Sequence, residues 1–260
     1  MEPSLKSPEK NDDRSFAFFD LDHTLLPFDT QAMFCNYVLQ QERSRSFFLL
    51  GFLPIAILRA CKLVPTVTAK RAFMGYLTGM DRETLRSRAR NFAEKVVKPQ
   101  IYPELLAIIE AHRSAGRILV LNTASPDFYP HEIARILGFD HCIATKVEPH
   151  DPMPFMPVVI GSNNKREAKI AAMRRELPEV AAATEQQLRD SWSYSDSAAD
   201  LPLLEFAGNA MLIHPNTALA AIGVDRGWKI LKPERPYQTK LGDILCSLQQ
   251  ALGIYHYRKN

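Results

Sequence analysis

Residues 16–26, FAFFDLDHTLL, constrain the fold more than any other segment, because an apolar run passes directly into acidic residues. The four apolar residues 16–19 predict a buried β-strand. A buried strand rarely ends in two acids, here Asp20 and Asp22, unless a positive charge such as a metal ion or a proton lies between them. The segment therefore predicts a strand and, at its end, a site that holds positive charge.

Short strand-like runs alternate with helical segments along much of the remaining chain. The predicted strands cover residues 16–19, 117–122, 142–145, 191–195 and 210–213, and the helices among them cover residues 103–115, 130–137 and 165–176. This alternation is typical of an α/β fold, in which helices cover both faces of a parallel sheet. Ligands of such sheets bind beyond the carboxyl ends of the strands, so we expect the functional site there.

Residues 29–99 interrupt the alternation. They contain helical stretches at 30–41, 47–63, 68–77 and 82–97 and no convincing strand, so we interpret them as a helical cap inserted after the first strand. The predicted core domain comprises residues 15–28 and 100–232 and follows a disordered leader at 1–14. Residues 233–260 are a predicted C-terminal tail with one amphipathic stretch at 241–252.

Composition limits the classes of ligand and compartment. The 260 residues suffice for one core and a smaller unit, and 32 basic against 29 acidic residues leave a net charge of only +3. Because there is no basic run either, nucleic acid is not a predicted partner, and we expect a small ligand. The four cysteines form no Cys-x-x-Cys pair and the first 15 residues contain no apolar signal-peptide core, so we expect reduced thiols and a cytoplasmic location.

The most apolar stretch, residues 47–58, ends at Arg59 and includes Gly51 and Pro54. It is shorter than the roughly 18 apolar residues that a membrane-spanning helix needs. Two interpretations stay open: a helix in the core of the cap, or a weak contact between the cap and a membrane surface.

Polar residues from separate elements are expected at one edge of the sheet. Asp20 ends the first predicted strand, Thr123 ends the second and Asp196 ends the fourth, while Lys165 begins the helix before that fourth strand. Because the carboxyl ends of parallel strands meet at one edge, these four groups should lie close together.

This set of motifs, in this order, resembles the haloacid dehalogenase superfamily of aspartate-based phosphatases, and the resemblance covers nearly all of residues 15–232. The run YSDSAADLPLLE at 194–205, followed by HPN at 214–216 and RGW at 226–228, is most similar to subclass IB, the relatives of phosphoserine phosphatase. The resemblance implies a three-layer, Rossmann-like core with a parallel sheet and a small inserted cap of the C1 type.

The resemblance also implies a role for each motif residue. Asp20 would attack phosphorus and form an aspartyl phosphate, and Asp22 would protonate the leaving oxygen and then deprotonate the attacking water. The Thr123 hydroxyl and the following backbone N–H would bind phosphoryl oxygens, and Lys165 would neutralise charge on Asp20. Thr24 is predicted to fix the turn that aims the two aspartates, with an ordinary capping role as the alternative.

Charge alone requires a cation at such a site. Two like charges about 4 Å apart repel by about 4 kcal/mol at an effective dielectric of 20, so a phosphate dianion cannot approach several carboxylates unaided. Hard oxygen ligands and a phosphate substrate favour Mg²⁺, and the resemblance implies that the carboxylates of Asp20 and Asp196 and the backbone carbonyl of Asp22 hold it. Asp200 belongs to the predicted metal site as the residue that orients a water on the metal or Lys165.

The substrate is predicted from the resemblance as a small phosphorylated metabolite. In phosphoserine phosphatase an acid nine residues after the nucleophile binds the substrate amine, and here that position is Asp29, which implies an amine-bearing phosphomonoester. Asp29 is equally a candidate N-cap for the helix that begins at Thr30. The family's carboxylate-binding cap arginine has no match, because Met74 aligns there with Arg71 one turn earlier, which argues against phosphoserine itself.

Three more residues, Thr24, Ala124 and Ser125, join Asp29 as candidate substrate-binding residues. Ala124 and Ser125 replace two family glycines, which should narrow the pocket floor. The apolar cap would also suit a lipid phosphate, so a lipid-phosphate phosphatase stays open. A phosphotransferase and a non-catalytic phosphate-binding module stay open as well, although the intact acids argue against the non-catalytic module.

Overall fold

A parallel sheet of six strands forms the centre of the computed structural model, which describes residues 14–257. The predicted leader, residues 1–14, therefore lies outside the described residues except for Arg14. The strands are β1 (Phe16–Phe19), β2 (Ile118–Pro126), β3 (His141–Thr145), β4 (Trp192–Ser195), β5 (Asn209–Ile213) and β6 (Lys229–Leu231). Their order is β3-β2-β1-β4-β5-β6, and all neighbours pair in parallel, which confirms the predicted α/β class.

Twelve α-helices lie within the described residues. They are α1 (Thr30–Gln41), α2 (Phe48–Ala60), α3 (Thr66–Phe73), α4 (Arg82–Phe92), α5 (Pro103–Ser114), α6 (Pro130–Leu137), α7 (Glu167–Glu176), α8 (Pro178–Ala181), α9 (Glu185–Arg189), α10 (Leu201–Phe206), α11 (Thr217–Asp225) and α12 (Lys240–Ala251). Shorter 3₁₀ or π turns occupy Arg43–Phe47, Met74–Leu77, Ala93–Val97, Lys98–Gln100 and Ala198–Asp200. No helix within residues 14–257 combines the length and the apolarity needed to cross a membrane.

Strand β1 is buried on both faces, which explains its uninterrupted apolar sequence. Ala17 and Phe19 belong to one apolar cluster, whereas Phe16 and Phe18 belong to another on the opposite side of the sheet. The Phe19 ring stacks on Tyr194 of β4 with ring centroids 4.3 Å apart. Burial of each phenylalanine stabilises the fold by about 1.5–3 kcal/mol, so the strand is a rigid support for the acids that follow it.

The helices α1–α4 all lie between β1 and β2 in the sequence, and we keep the name cap for residues 29–99. The extent of the cap as a separate domain stays a prediction. Aromatic side chains hold its helices together: Phe48 and Phe52 of α2 contact Phe73 of α3, with centroid distances of 6.0 and 5.1 Å. The helix predicted at 47–63 begins one residue later, after a 3₁₀ turn, and ends three residues earlier, at Ala60.

The C-terminal tail packs on the cap through α12 and the residues after it. The Asn36 side-chain amide donates to the Tyr255 carbonyl at 3.0 Å, and the Asn36 side-chain oxygen accepts from the Tyr255 N–H at 3.1 Å. Arg43 donates to the carbonyl of Gly253 at 2.8 Å. These polar bonds fix the end of the described chain against α1.

Candidate active site

Three strands deliver the predicted polar groups to one edge of the sheet. Strand β1 lies between β2 and β4, so Asp20, Thr123 and Asp196 come from neighbouring strands. The Asp20 N–H donates to the Tyr194 carbonyl at 3.0 Å, which extends the β1–β4 ladder to the first acid. Asp20 is 7 % exposed and Thr123 is fully buried, so both are held away from bulk water.

The ammonium that contacts Asp20 belongs to Lys169. Its Nζ lies 2.6 Å from Asp20 Oδ1 and 2.8 Å from Asp200 Oδ2. The motif order predicted this role for Lys165, which is exposed and lies before α7 begins at Glu167. Lys169 lies four residues later in the chain, and its side chain is buried. The prediction for Lys165 is therefore wrong, and Lys169 takes its place.

The sequence does contain a signal for Lys169, in the pattern of buried residues around it. Lys169 shares a helix face with Ala172 and Met173, three and four residues later, and both of these are buried. A lysine on the apolar face of a helix must find an acidic partner inside the protein. Lys169 is distinguished from Lys165 because it lies on the buried face of α7, whereas Lys165 lies before the helix begins.

Asp200 accepts hydrogen bonds from two directions. Its Oδ2 accepts from Lys169 Nζ and, at 2.9 Å, from Ser195 Oγ at the end of β4. Asp200 is 3 % exposed. Its carboxylate thus orients Lys169, and the predicted contact with Lys165 is replaced by this one.

Thr24 connects the acid that ends β1 with the acid that follows β4. Its hydroxyl lies 3.3 Å from Asp20 Oδ2 and 3.2 Å from Asp196 Oδ1, and it accepts the Asp196 N–H at 3.1 Å. The side chain is fully buried. Thr24 therefore fixes the two carboxylates relative to each other.

Asp22 is held between the start of α1 and the end of β2. Its Oδ1 accepts from the Thr30 N–H at 2.7 Å and from Thr30 Oγ1 at 2.6 Å. Its Oδ2 accepts from Ser125 Oγ at 2.8 Å, and Thr123 Oγ1 lies 3.5 Å away. Ser125 also donates its N–H to Thr123 Oγ1 at 3.0 Å. Ser125 thus positions an acid and a hydroxyl of the site.

Asp29 and His23, two residues of the loop after β1, contact different parts of the protein. Asp29 caps α1, because its Oδ1 accepts the N–H groups of Gln31 at 2.8 Å and Ala32 at 3.0 Å. Burial and the nearby Asp22 raise the pKa of the Asp29 carboxyl. The imidazole of His23, which adjoins Asp22 in sequence, lies 3.1 Å from the Tyr237 hydroxyl.

Lys70 of α3 reaches from the cap to the active-site edge, and sequence reasoning missed it. Its Nζ donates to the carbonyl of Ala124 and, at 2.8 Å, to Asn163 Oδ1. Burial lowers the pKa of Lys70 to about 8, against the opposing attraction of Asp22 and Asp29. No sequence motif marks this lysine, because its partners are 54 and 93 residues away.

Arg71, the cap arginine that lies one turn before Met74, contacts backbone carbonyls and not the active-site edge. Arg71 donates to the carbonyls of Pro157 at 2.9 Å and Met156 at 3.1 Å, and Met74 is buried in the apolar core. Lys70 is therefore the cap cation beside the Ala124 carbonyl.

The site contains more negative than positive charge. Burial raises the pKa of Asp20 well above its usual range, attraction to Lys169 opposes this, and Asp200, Asp196 and Asp22 raise the pKa further. Burial also raises the pKa of Asp196 to about 6. For Lys169, burial lowers the pKa, but attraction to Asp20 and Asp200 outweighs burial and the net shift is upward. One buried ammonium does not balance these carboxylates.

The donor set fits a hard divalent cation. The carboxylates of Asp20 and Asp196 approach the same Thr24 hydroxyl, and carboxylate oxygens are the ligands that Mg²⁺ prefers. Within residues 14–257, no group of three His, Cys, Asp or Glu side chains forms a metal site. Backbone carbonyl groups and water would have to supply the remaining ligands, and the Asp22 carbonyl is the expected backbone donor.

Comparisons with known proteins find relatives that are named phosphatases. A probable phosphatase of Mycobacterium tuberculosis strain H37Rv is 29 % identical over 235 residues, which cover 86 % of this chain and 77 % of the relative. A histidinol-phosphatase of Neisseria meningitidis is 24 % identical over 230 residues, covering 84 % of this chain and 98 % of the relative.

A solved structure and a family model extend the similarity to the fold. The crystal structure of a protein of unknown function from Bordetella pertussis Tohama I superposes with a TM-score of 0.68 at 27 % identity, covering 84 % of this chain and 98 % of that one. The family model for haloacid dehalogenase-like hydrolases matches residues 17–205, which include the Asp20, Thr123, Lys169 and Asp196 positions. This chain belongs to the haloacid dehalogenase-like hydrolases.

Proposed function

We propose that this protein is a Mg²⁺-dependent phosphomonoester hydrolase that acts through an aspartyl phosphate on Asp20. The observation that carries the proposal is the buried Lys169–Asp20 ion pair at 2.6 Å, beside a second acid, Asp22. An activated carboxylate next to a separate acid is what two-step transfer requires. Membership of the hydrolase family and the phosphatases among its relatives support the same activity.

Each transfer step has a defined role for this chain's residues. In the first, an Asp20 oxygen forms a bond to phosphorus while the bond to the leaving oxygen breaks, and Asp22 gives that oxygen a proton. In the second, Asp22 takes a proton from water, whose oxygen bonds to phosphorus and releases Asp20. Lys169 stays charged throughout and offsets negative charge at Asp20.

A bound Mg²⁺ would supply electrostatic stabilisation of the phosphoryl oxygens, and Asp20, Asp196 and the Asp22 carbonyl would hold it. The Thr123 hydroxyl and the following N–H would bind the phosphoryl group. Without substrate, that hydroxyl accepts the N–H of Ser125. Thr24 and Asp200 position the acids and the lysine, and neither is required to touch the substrate.

The substrate we propose is a small, amine-bearing phosphorylated metabolite bound at Asp29. Among residues 14–257 this half-buried carboxyl forms no ion pair of its own, so a substrate ammonium would supply the opposite charge that favours its ionised form. The similarity to a histidinol-phosphatase points in the same direction, because histidinol bears an amine. Capping of α1 occupies only Asp29 Oδ1.

Release of an aryl alcohol from an aryl phosphate, with and without Mg²⁺, tests the reaction. We expect release only with the metal, and loss of release in Asp20→Asn, since the amide cannot attack phosphorus. Release of the aryl alcohol that does not depend on the metal, or that is undiminished in Asp20→Asn, would contradict the proposal. Transfer of phosphate to an added alcohol in preference to water would identify a phosphotransferase instead.

A panel of phosphoserine, histidinol phosphate, polyol phosphates and lysophosphatidate tests the substrate. We expect the highest kcat/KM for an amine-bearing member, and a selective loss of that preference in Asp29→Asn, which keeps the helix cap. Equal rates with amine-free esters would overturn the role of Asp29 and leave the hydrolase itself standing.

A further inference from the structure

Helix α2 presents an apolar face that the rest of the described chain leaves uncovered. The exposed fractions are large for apolar side chains, both at Phe47 (75 %), directly before α2, and within α2 at Leu50 (76 %), Leu53 (58 %) and Ile57 (58 %). Intervals of three and four residues place these side chains on one face of the helix. The opposite face carries Phe48 and Phe52, which pack against Phe73. The exposed face therefore contributes little to holding the cap together.

The exposed apolar surface continues beyond the end of α2. Leu63 is 70 % exposed and Val67, in α3, is 36 % exposed. Single exposed apolar residues are common on protein surfaces, but a continuous stripe of them marks a site of interaction. We call the stripe formed by Phe47, Leu50, Leu53 and Ile57 the cap stripe.

Charge at the C-terminal end of the cap stripe is positive, whereas at its other end Glu42 pairs with Arg45 and Arg88. Residues 43–80 contain six lysines and arginines and no aspartate or glutamate. Arg59 is half-exposed in the last turn of α2, and Lys62 is exposed just after it. Within the described residues neither side chain forms an ion pair. Apolar side chains flanked by unpaired cations are complementary to the surface of an anionic bilayer.

A second exposed stripe, on α12, provides an internal comparison. It comprises Leu241, Ile244, Leu245 and Leu248, each more than half exposed. Residues 233–252 around it carry two acids and two bases, so this surface has no net charge. Apolar exposure is thus similar on the two helices, but the residues around α12 include as many acids as bases, whereas residues 43–80 include bases and no acid.

We propose that the cap stripe lies in the interface of an anionic lipid bilayer, with Arg59 and Lys62 on the headgroups. With 13 residues, α2 is suited to lie in the interface plane and not to span it. Two copies of the chain joined through this surface would bring their cations together, which disfavours self-association. Helix α2 packs against α3, whose Lys70 contacts the Ala124 carbonyl, so the docked face lies one helix away from the active site.

Flotation of the full chain with vesicles tests the proposal without any need for turnover. We expect binding to vesicles of phosphatidylcholine with phosphatidylglycerol, little binding to phosphatidylcholine alone, and weaker binding at high salt. Leu50→Asp/Leu53→Asp should weaken binding more than about tenfold, since both leucines would leave the bilayer. Arg59→Gln and Lys62→Gln should each weaken binding to anionic vesicles by about fivefold.

The matched control is Leu245→Asp/Leu248→Asp on α12, which removes equivalent leucines from the uncharged stripe and should bind like the wild type. Thermal unfolding of both double variants close to the wild-type temperature would report an intact fold. Equal binding by Leu50→Asp/Leu53→Asp and the wild type would overturn the proposal. An equal loss of vesicle binding in Leu245→Asp/Leu248→Asp would also overturn it, as would the absence of wild-type binding to both kinds of vesicle. A wild-type dimer that dissociates in Leu50→Asp/Leu53→Asp would show that a second copy covers the stripe and would overturn the proposal as well.

Discussion

Lys169 and Asp20 form a buried ion pair, with Nζ 2.6 Å from Oδ1, and Asp200 holds the same ammonium at 2.8 Å. The lysine side chain is 1 % exposed, so its charge depends on these two acids and not on water. Removal of one partner of such a pair leaves the other buried and uncompensated, which costs about 3–5 kcal/mol. The charge state of Asp20 and the stability of the core thus depend on one side chain.

Lys169→Met should lower kcat by about a thousandfold, because the transferring group loses its nearest fixed protein cation. Lys165→Met is the matched control and should lose no more than a few-fold, since Lys165 is exposed. Steady-state kinetics measure both, and thermal unfolding checks that each variant is folded. A larger loss in Lys165→Met than in Lys169→Met would return the catalytic role to Lys165.

Thr24→Val should weaken Mg²⁺ binding by about 10- to 100-fold, because the hydroxyl that holds Asp20 and Asp196 together is lost while the volume is kept. Calorimetric titration of Mg²⁺ measures the effect. Thr24→Ser keeps the hydroxyl and should bind the metal with nearly wild-type affinity. An equal loss in both variants would assign Thr24 a packing role only.

We propose that the Lys70 ammonium, beside the Ala124 carbonyl at the active-site edge, attracts the phosphoester. The KM should then rise as the pH passes about 8, because the pKa of Lys70 is lowered to about 8 and only the protonated form attracts phosphate. Lys70→Met should raise KM by about 10- to 100-fold at pH 7 and remove this rise with pH. Lys70→Arg should move the rise to higher pH. A KM profile in Lys70→Met that still parallels the wild type would contradict the role of Lys70.

The contribution of His112 to folding stability should fall as the pH drops from about 6.5 to about 4, because burial lowers the pKa of His112 to about 4, with Arg117 adding to the effect. In this window His112 binds a proton more readily in the unfolded chain than in the folded chain, so its contribution is present above pH 6.5 and is lost below it. The loss from this residue amounts to about 3 kcal/mol.

Urea unfolding at several pH values, compared between the wild type and His112→Gln, isolates this contribution. The glutamine amide can still reach the Tyr194 hydroxyl, which His112 Nε2 approaches at 2.5 Å, but it does not titrate in this range. The difference in unfolding free energy between the two proteins should change with pH over the window. A constant difference would show that His112 is not held neutral.

The sequence correctly predicted the helices and strands that depend on residues close together in the chain. Strand β1 and helix α1 lie where the apolar run and the Asp29 cap place them, and the parallel sheet follows from the alternation of strands and helices. Strand β6 was missed because three residues, two of them exposed, carry no apolar pattern. Strand β2 runs on to Pro126, beyond the predicted end at Asn122, through a register shift that no sequence pattern marks.

The candidate site was predictable where strands deliver the side chains and not where helices do. Asp20, Thr123 and Asp196 follow from the strand order, since neighbouring strands must end at the same edge. Lys169 depends on which face of α7 turns inward, and Lys70 depends on how the cap rests on the core. Those two positions are set by tertiary packing, which a single sequence encodes only through burial patterns.

The pairing of Asn36 with Tyr255 ties helix α1 of the cap to the C-terminal residues. A displacement of α1 would break both of these bonds and the Arg43–Gly253 bond, as well as the contacts of Thr30 with Asp22. A displacement of α3 from the core instead breaks the two bonds of Lys70 and those of Arg71 to two carbonyls. The residues that follow α12 therefore hold α1 in place, while a separate set of side-chain bonds holds α3 on the core.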